Sequence, residues 1–156
     1  MLLPCIAVVL FACNEKKEES TASTTIDKEQ VKKEIQAKED EFASVYNSGV
    51  LRNIGYYADD ATSFYQNREP LVGKQAIVEF LKSGVDSNTH KISFKTNEVF
   101  TSKDADLVVE IGSFTVVDST SSTPINKGNY MTMFEKRNGR YFAVRDMSVS
   151  DGSQSK

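Results

Sequence analysis

The chain has 156 residues, of which 39% are hydrophobic, which suits one domain with an ordinary core. Its formal net charge is -3 and its basic residues are interspersed with acidic ones, so the charge pattern gives no reason to expect nucleic-acid binding. With one histidine, two cysteines near the start and no glycine-rich phosphate loop, the sequence predicts no histidine-rich metal site, cysteine nucleophile, Ser-His triad or cofactor.

The first segment, residues 1–13, is an uncharged apolar run. It is shorter than the roughly 17 to 25 residues that cross a bilayer, and it fits the apolar region of a signal peptide, although no Lys or Arg precedes it. Its end, Leu10-Phe11-Ala12-Cys13, resembles a bacterial lipobox, in which cleavage before the cysteine leaves Cys13 as a lipid-modified N-terminus. We therefore expect a lipid-anchored protein of the bacterial cell envelope, periplasmic or surface-exposed. The alternative is a buried N-terminal strand with a core cysteine.

The next segment, Asn14 to Thr25, is charged and then rich in Ser and Thr, so it cannot bury enough apolar surface to fold. The predicted organisation is a signal peptide over 1–12, a lipidated cysteine and flexible tether over 13–26, a folded domain over 27–151 and a disordered tail over 152–156. Because Cys5 would leave with the signal, the mature domain would contain no free thiol and no disulfide.

The first predicted helix begins at Asp27, which has Gln30 three residues on in a capping arrangement, and reaches about Asn47, before Gly49. One face of it carries Val31, Ile35, Phe42, Val45 and Tyr46. The charged residues, Glu39 among them, are predicted to form a solvated face.

Two further helices are predicted. A short one uses Leu51, Ile54 and Tyr57 or Ala58, and a third covers Lys74 to Leu81 with Gly84 as its stop. Between them, Asp59-Asp60 predicts a turn and Thr62 to Tyr65 a short strand.

After the third helix the pattern changes to strands, predicted over 91–101, 106–117, 127–137 and 140–149. Asn138-Gly139 predicts a tight hairpin, because both central turn residues must tolerate positive φ. Helices followed by an antiparallel meander indicate an α+β domain.

The runs Tyr57-Ala58-Asp59-Asp60-Ala61-Thr62 and Gly73-Lys74-Gln75-Ala76-Ile77 resemble the signature of the ketosteroid-isomerase-like superfamily, whose fold is shared with nuclear transport factor and SnoaL-like cyclases. The resemblance covers roughly residues 27–151, and the chain is most similar to an uncharacterised branch of small bacterial domains. It implies a cone-shaped, cystatin-like α+β domain in which three N-terminal helices pack on a curved, mostly antiparallel sheet. It also implies a homodimer formed through the sheet face.

The resemblance does not extend to the ketosteroid isomerase reaction, which needs an Asp base, a Tyr donor and a protonated acid. A count without gaps places Phe42, Tyr65 and Met131 at the family's donor, base and acid positions. Phe42 lacks a donor, Tyr65 is a poor base with an ordinary pKa near 10, and Met131 cannot ionise. The resemblance thus implies the fold and not this reaction.

Three charged residues fall within apolar strand patterns. Glu110 alternates with Val108, Gly112, Phe114 and Val116; Arg145 alternates with Tyr141, Ala143, Met147 and Val149; and Asp146 alternates with Phe142, Val144 and Ser148. A charged side chain among buried apolar ones needs an oppositely charged or hydrogen-bonding partner, or a ligand. The alternative to ligand binding is a cross-strand ion pair or a dimer contact.

Two other groups have plainer interpretations. The adjacent Asp59 and Asp60 are expected to serve a turn rather than acid–base catalysis, and His90 is expected to be solvated.

Aromatic residues could line the interior of the cone, with Phe80 and Phe114 among them. The predicted pocket residues are Tyr46, Tyr57, Phe64, Tyr65, Glu110, Arg145 and Asp146. The function favoured by the sequence is non-catalytic binding of a small apolar ligand or a protein partner. The alternatives are an isomerase, dehydratase or cyclase acting on an apolar carbonyl substrate, with Glu110 or Asp146 as base and a tyrosine as donor, and a structural dimerisation module.

Overall fold

The computed structural model describes residues 26–85 and 89–152. The predicted signal peptide, Cys13, the tether up to Thr25 and residues 153–156 of the tail lie outside the described residues. The elements are α1 (Lys28–Asn47), a 3-10 turn (Leu51–Asn53), β1 (Tyr57–Phe64), β2 (Leu71–Val72), α2 (Lys74–Val85), β3 (His90–Thr101), β4 (Leu107–Asp118), β5 (Pro124–Arg137) and β6 (Arg140–Ser150). Within the described ranges, neither helix has the length and apolar character needed to cross a membrane.

The first helix begins and ends as predicted. The Asp27 carboxylate accepts hydrogen bonds from the backbone N–H groups of Glu29 and Gln30, which satisfies donors that the first helical turn leaves unpaired. Gly49, with a φ of 75°, follows the last turn, in a conformation that glycine adopts without strain.

The six strands form one curved sheet in the order β2-β1-β6-β5-β4-β3. All neighbouring pairs are antiparallel except β1 and β6, which run parallel. The four long strands and the Asn138-Gly139 hairpin were predicted from the sequence and are confirmed, with φ values of 53° and 76° at the two turn residues. The α+β class is therefore also confirmed.

Helix α1 lies across the sheet and covers the free edge of β3. The Asn47 side chain exchanges two hydrogen bonds with the backbone of Ile92, and the Gln36 amide bonds to the backbone of Phe94 and Thr96. An uncovered edge strand would expose unpaired N–H and C=O groups. These two amide side chains satisfy part of that edge and fix the position of α1 above the inner face of the sheet.

The prediction of three helices is wrong, because the described residues form two helices and one 3-10 turn. The segment around Asp59-Asp60, predicted to be a helix end and a turn, is the first half of β1. The strand pairs with β6 at Tyr57 and at Thr62 to Phe64 and with β2 at Thr62 and Ser63, so the two aspartates lie in an irregular stretch between paired residues. The side chains of Tyr57, Ala61 and Ser63 are buried. Pairing with strands that are distant in sequence outweighs the local turn preference of the two aspartates.

The predicted end of the third helix is also wrong, since Gly84 lies inside α2, which continues to Val85. The helix itself is confirmed, and it buries Ile77 and Leu81 against the rest of the core.

A β-bulge in β6 changes which of its side chains point inward. Met133 pairs with Arg145 while the next residue, Phe134, pairs with Ala143, so one extra residue of β6 is inserted between them. Ala143 and Val144 are consequently both buried, and beyond the bulge Asp146 and not Arg145 faces inward. The prediction that Arg145 shares a face with Ala143 and Tyr141 is wrong for this reason.

Candidate functional site

A cavity of about 280 Å³ lies between the two helices and the inner face of the sheet. Its floor is made by buried residues such as Tyr56, Tyr130 and Thr132, whereas Asn126 and Ser150 at its other end are exposed. The cavity therefore runs from the core to the surface. Half of the residues that line it are aromatic.

The aromatic wall is organised around Phe42 of α1. Its ring centre lies 4.9 Å from that of Tyr56, 5.6 Å from that of Phe94, and 6.1 Å from that of Tyr57, in tilted and edge-to-face geometries. Aromatic pairs prefer these arrangements, so the wall is rigid as well as apolar. Phe42 occupies the position that a gap-free count gives to the family's donor, and here it supplies packing only.

Most of the predicted aromatic lining is present. Tyr46, Tyr57, Tyr65, Phe80 and Phe114 all line the cavity. At one side the rings of Tyr65 and Phe80 pack together with centres 4.6 Å apart.

Asp146 is the ionisable group on the sheet side of the cavity. Its carboxylate accepts a hydrogen bond from the Ser63 hydroxyl and a long one, 3.4 Å, from the Tyr57 hydroxyl. Burial raises the pKa of Asp146 to about 6, and these two hydrogen bonds partly oppose the rise. The group therefore changes charge near neutral pH.

Glu39 of α1 is a site residue that sequence reasoning missed. It was assigned to a solvated face, but its side chain is 1% exposed and lines the cavity floor, where the Tyr56 hydroxyl donates to it. Burial, followed by the nearby Glu110, raises the pKa of Glu39 well above its ordinary value. The sequence feature that indicates a buried Glu39 is the four-residue spacing of Val31, Ile35 and Glu39, which places all three on the same face of the helix.

Glu110 lies beside Glu39 and faces inward, as the alternation in β4 predicts. Its Oε1 accepts hydrogen bonds from the Thr96 and Tyr130 hydroxyls at 2.6 and 2.7 Å, while its Oε2 is buried without a hydrogen-bond partner among the described residues. Burial raises the pKa of Glu110 as well. One proton shared by the two carboxyl groups avoids two adjacent buried negative charges.

A glycine makes room for the Tyr130 hydrogen bond. Gly112 is paired directly opposite Tyr130 across β4 and β5, and a Cβ at Gly112 would lie 2.2 Å from the Cζ atom of the Tyr130 ring. The ring thus lies over the bare backbone of Gly112 and reaches Glu110, two residues earlier on the same strand. No larger residue at position 112 is compatible with this placement.

Two predicted pocket residues point elsewhere. Phe64 is exposed, and Arg145 is an exposed residue whose guanidinium donates to the backbone carbonyl groups of Asp60 and Val144. Neither lines the cavity, and Glu110, although its side chain is on the inner side of the sheet, is not among the lining residues either. Met131, at the position counted for the family's acid, is also exposed, on the opposite face of the sheet from Tyr130.

The alternative of a cross-strand ion pair does not hold for the described residues, because Glu110, Arg145 and Asp146 take part in none of their salt bridges. The pair Asp59-Asp60 does not form a catalytic site either: both are exposed, and Asp60 accepts two hydrogen bonds from the Arg137 guanidinium at 2.7 and 3.0 Å. His90 is exposed, as predicted. Across residues 26–85 and 89–152, no group of three metal-binding side chains is present.

Comparison by sequence identifies no relative: no protein-family model matches the chain, and no curated protein does. Comparison by structure gives many matches. A ketosteroid isomerase-like protein from Erwinia carotovora atroseptica is 18% identical, with a TM-score of 0.61 over 78% of this chain and 96% of its own. An NTF2-like protein with a cystatin-like fold from Novosphingobium aromaticivorans is 15% identical, with a TM-score of 0.66 over 79% of this chain and 84% of its own.

A third match is a domain of unknown function with a cystatin-like fold from Nostoc punctiforme, which is 13% identical, with a TM-score of 0.67 over 84% of this chain and 82% of its own. At such identities a likeness carries information about the fold and not about the reaction or ligand. The chain therefore has the cystatin-like fold of the ketosteroid-isomerase-like and nuclear-transport-factor-like proteins.

Proposed function

We propose that this domain binds a small, largely apolar molecule in its cavity without chemical turnover. The observation that carries the proposal is the cavity itself, which extends from a buried floor to an exposed end and has aromatic side chains as half of its lining. Ligand sites in proteins have this composition, with a few polar groups that fix the ligand's orientation. Here Asp146, Thr132 and Ser148 supply such polar groups.

The test is a titration with the neutral fluorescent probe N-phenyl-1-naphthylamine, whose emission rises in apolar surroundings. Saturable binding is expected for the wild-type protein. Ser148→Trp should abolish it, because Ser148 lines the cavity and an indole would fill the space. The matched control is Ser93→Trp, at an exposed position of β3. Equal binding by the two variants would place the probe outside the cavity and contradict the proposal.

A second candidate function is proton transfer on an apolar carbonyl substrate, and one observation favours it. Asp146 combines a pKa of about 6 with a position on the cavity wall, which suits a general base. Tyr65 lines the same cavity, and burial raises its pKa to about 12, so its hydroxyl stays protonated and able to donate. The tyrosines Tyr56 and Tyr130 already donate to the carboxyl groups of the floor.

The two candidates are distinguished by a spectrophotometric isomerisation assay with a Δ5-3-ketosteroid, run beside calorimetric titration with the same steroid. We expect no turnover above the solvent background. Turnover that disappears in Asp146→Asn would overturn the non-catalytic proposal and establish the second candidate.

We further propose a homodimer formed through the outer face of the sheet. Met147 of β6 is paired with Phe64 on one side and with Met131 on the other, so three exposed apolar side chains lie side by side across three strands. Exposed apolar patches of this kind are typical of protein interfaces. Analytical ultracentrifugation should show a dimer that Met131→Glu dissociates, whereas Lys33→Glu, at an exposed position of α1 away from the outer face, should not. A monomeric wild-type protein would refute the proposal.

We also propose that the protein is anchored in the bacterial cell envelope through Cys13. The proposal is supported by the apolar run and by the lipobox-like Leu10-Phe11-Ala12-Cys13. An anchored domain on a polar tether would present its cavity to the aqueous side of the membrane.

A further inference from the structure

The carboxyl groups at and next to the cavity accept hydrogen bonds from hydroxyl groups and from no basic side chain of the described residues. Glu39 accepts from Tyr56, Glu110 from Thr96 and Tyr130, and Asp146 from Ser63 and Tyr57. No Lys, Arg or His is among the described residues that line the cavity, and none of the three acids joins a salt bridge of the described part of the chain. This end of the cavity is therefore acidic and lacks a cation supplied by the protein.

The walls next to these acids are the faces and edges of aromatic rings. A ring face carries partial negative charge and attracts a cation within about 6 Å of its centre. Phe80, one of the lining residues, makes such a contact with a cation of the protein itself, since the Cζ atom of Arg68 lies 4.1 Å from its ring centre. Aromatic rings together with a carboxylate are the groups that recognise amines and quaternary ammonium ions.

We infer that the ligand of this cavity is a small organic cation, with its ammonium group beside Asp146 and its apolar body against the aromatic wall. This inference rests on the proposed binding function and names its ligand class. An anion would meet the carboxyl groups of Asp146 and Glu39, and no basic side chain is among the described lining residues to pair with it. A neutral apolar ligand would bury Asp146 without neutralising it, which is unfavourable for a charged group.

Asp146 is the counter-ion for two reasons. It lines the cavity directly, whereas Glu110 is not among the lining residues and its Oε1 is already occupied by the Tyr130 hydroxyl. Burial also raises the pKa of both Glu39 and Glu110, which leaves less negative charge for a ligand.

The pH dependence of binding follows from the groups around Asp146. The titratable side chains that face it are Tyr57 and Tyr65, which stay protonated at neutral pH, and Glu39 of α1. Because the pKa of Asp146 is about 6, a cation that binds at pH 5 must displace the proton of the Asp146 carboxyl group. At pH 8 this group is already a carboxylate anion. Affinity for a permanently charged cation should rise with pH from 5 to 7 and level off above.

The experiment compares two probes of the same shape by displacement of N-phenyl-1-naphthylamine at pH 8. Benzyltrimethylammonium carries a permanent positive charge, and neopentylbenzene is its neutral carbon analogue. We expect the cation to bind about tenfold more tightly. Asp146→Asn should remove this preference and leave neopentylbenzene unchanged, and Glu98→Gln, which deletes an exposed charge of β3, should change neither affinity.

The outcomes separate this inference from the function on which it rests. Equal affinities for the two probes, or an equal loss of both in Asp146→Asn, would overturn the organic-cation assignment while leaving small-molecule binding intact. If Asp146→Asn fails to fold, the wild-type pH series decides, because an affinity for benzyltrimethylammonium that is constant from pH 5 to 8 would overturn the assignment. Absence of any binding, by fluorescence and by calorimetry with benzyltrimethylammonium, would refute the proposed function itself.

Discussion

Glu39 of α1 and Glu110 of β4 are both fully buried, and their carboxyl groups lie close enough to affect each other's pKa. Each also accepts a tyrosine hydroxyl, from Tyr56 and Tyr130 respectively. Two buried carboxylates this close repel each other, so the pair retains a proton at pH values where isolated carboxyl groups have lost theirs. This pair links the stability of the domain to pH.

Replacing Glu39 with Gln should reduce the loss of stability that occurs as pH rises above 4.5. Because the folded state raises the pKa of Glu39 above its ordinary value of 4.5, the folded protein holds a proton that the unfolded chain releases. The stabilisation is complete below pH 4.5 and is lost as pH rises through the raised pKa, at about 1.4 kcal/mol per unit of elevation. Gln is neutral throughout and keeps an acceptor for Tyr56. Urea unfolding from pH 5 to 9 measures the difference.

The control for this prediction is Glu34→Gln, at an exposed position of the same helix. Asp60 and Asp104 do not interfere, because their pKa values are lowered and their contributions are lost only at more acidic pH. Asp146, whose pKa is raised to about 6, contributes its pH dependence to the wild-type protein and to both variants alike. Parallel stability curves for the wild-type and Glu39→Gln proteins over this range would refute the shared-proton description.

Gly112→Ala should destabilise the domain by about 1–3 kcal/mol, the usual cost of overpacking a well-packed core. The added Cβ would lie 2.2 Å from the Tyr130 ring and would force the ring away from Glu110. The measurement is a double-mutant cycle with Tyr130→Ala by denaturant unfolding. The cost of Gly112→Ala should fall when the ring is absent, and an unchanged cost would show that the close approach is not its cause.

Gly139→Val should destabilise the hairpin between β5 and β6 by about 1–3 kcal/mol. The φ of 76° at Gly139 strains a β-branched residue, and nothing lies within 4 Å of its added Cβ, so the effect is due to the backbone alone. Gly139→Asn is the control, because Asn tolerates positive φ. Thermal unfolding should separate the two variants; the same melting temperature for both would contradict this account of the turn.

Cys13→Ser should release the protein from membranes in a native bacterial host. If the lipobox-like segment directs acylation of Cys13, the serine variant cannot receive the lipid. Membrane fractionation and metabolic labelling with a fatty-acid analogue measure the change, with Cys5→Ser as the matched control. Unlabelled Cys13 in a protein that retains residues 1–12 would end the proposal.

Sequence patterning alone located the long elements of the domain. The capping group of Asp27, the hairpin at Asn138-Gly139 and the inward position of Glu110 all follow from local rules, and the structure confirms them. Such features depend on residues close in sequence, whose spacing on a helix or strand is regular. The resemblance to the ketosteroid-isomerase-like superfamily correctly predicted the fold.

The tertiary structure decided the features that depend on distant segments. The stretch around Asp59-Asp60 is part of a strand because the residues on both sides of it, Tyr57 and Thr62 to Phe64, pair with β6. Asp146 rather than Arg145 faces inward because one extra residue bulges out of β6. Glu39 is buried because α1 packs against the sheet with the face that carries Val31, Ile35 and Glu39 turned inward. There the Tyr56 hydroxyl donates to Glu39, and Glu110 lies near it. These arrangements cannot be predicted from local sequence, because each is stabilised by contacts between residues that only the folded chain brings together.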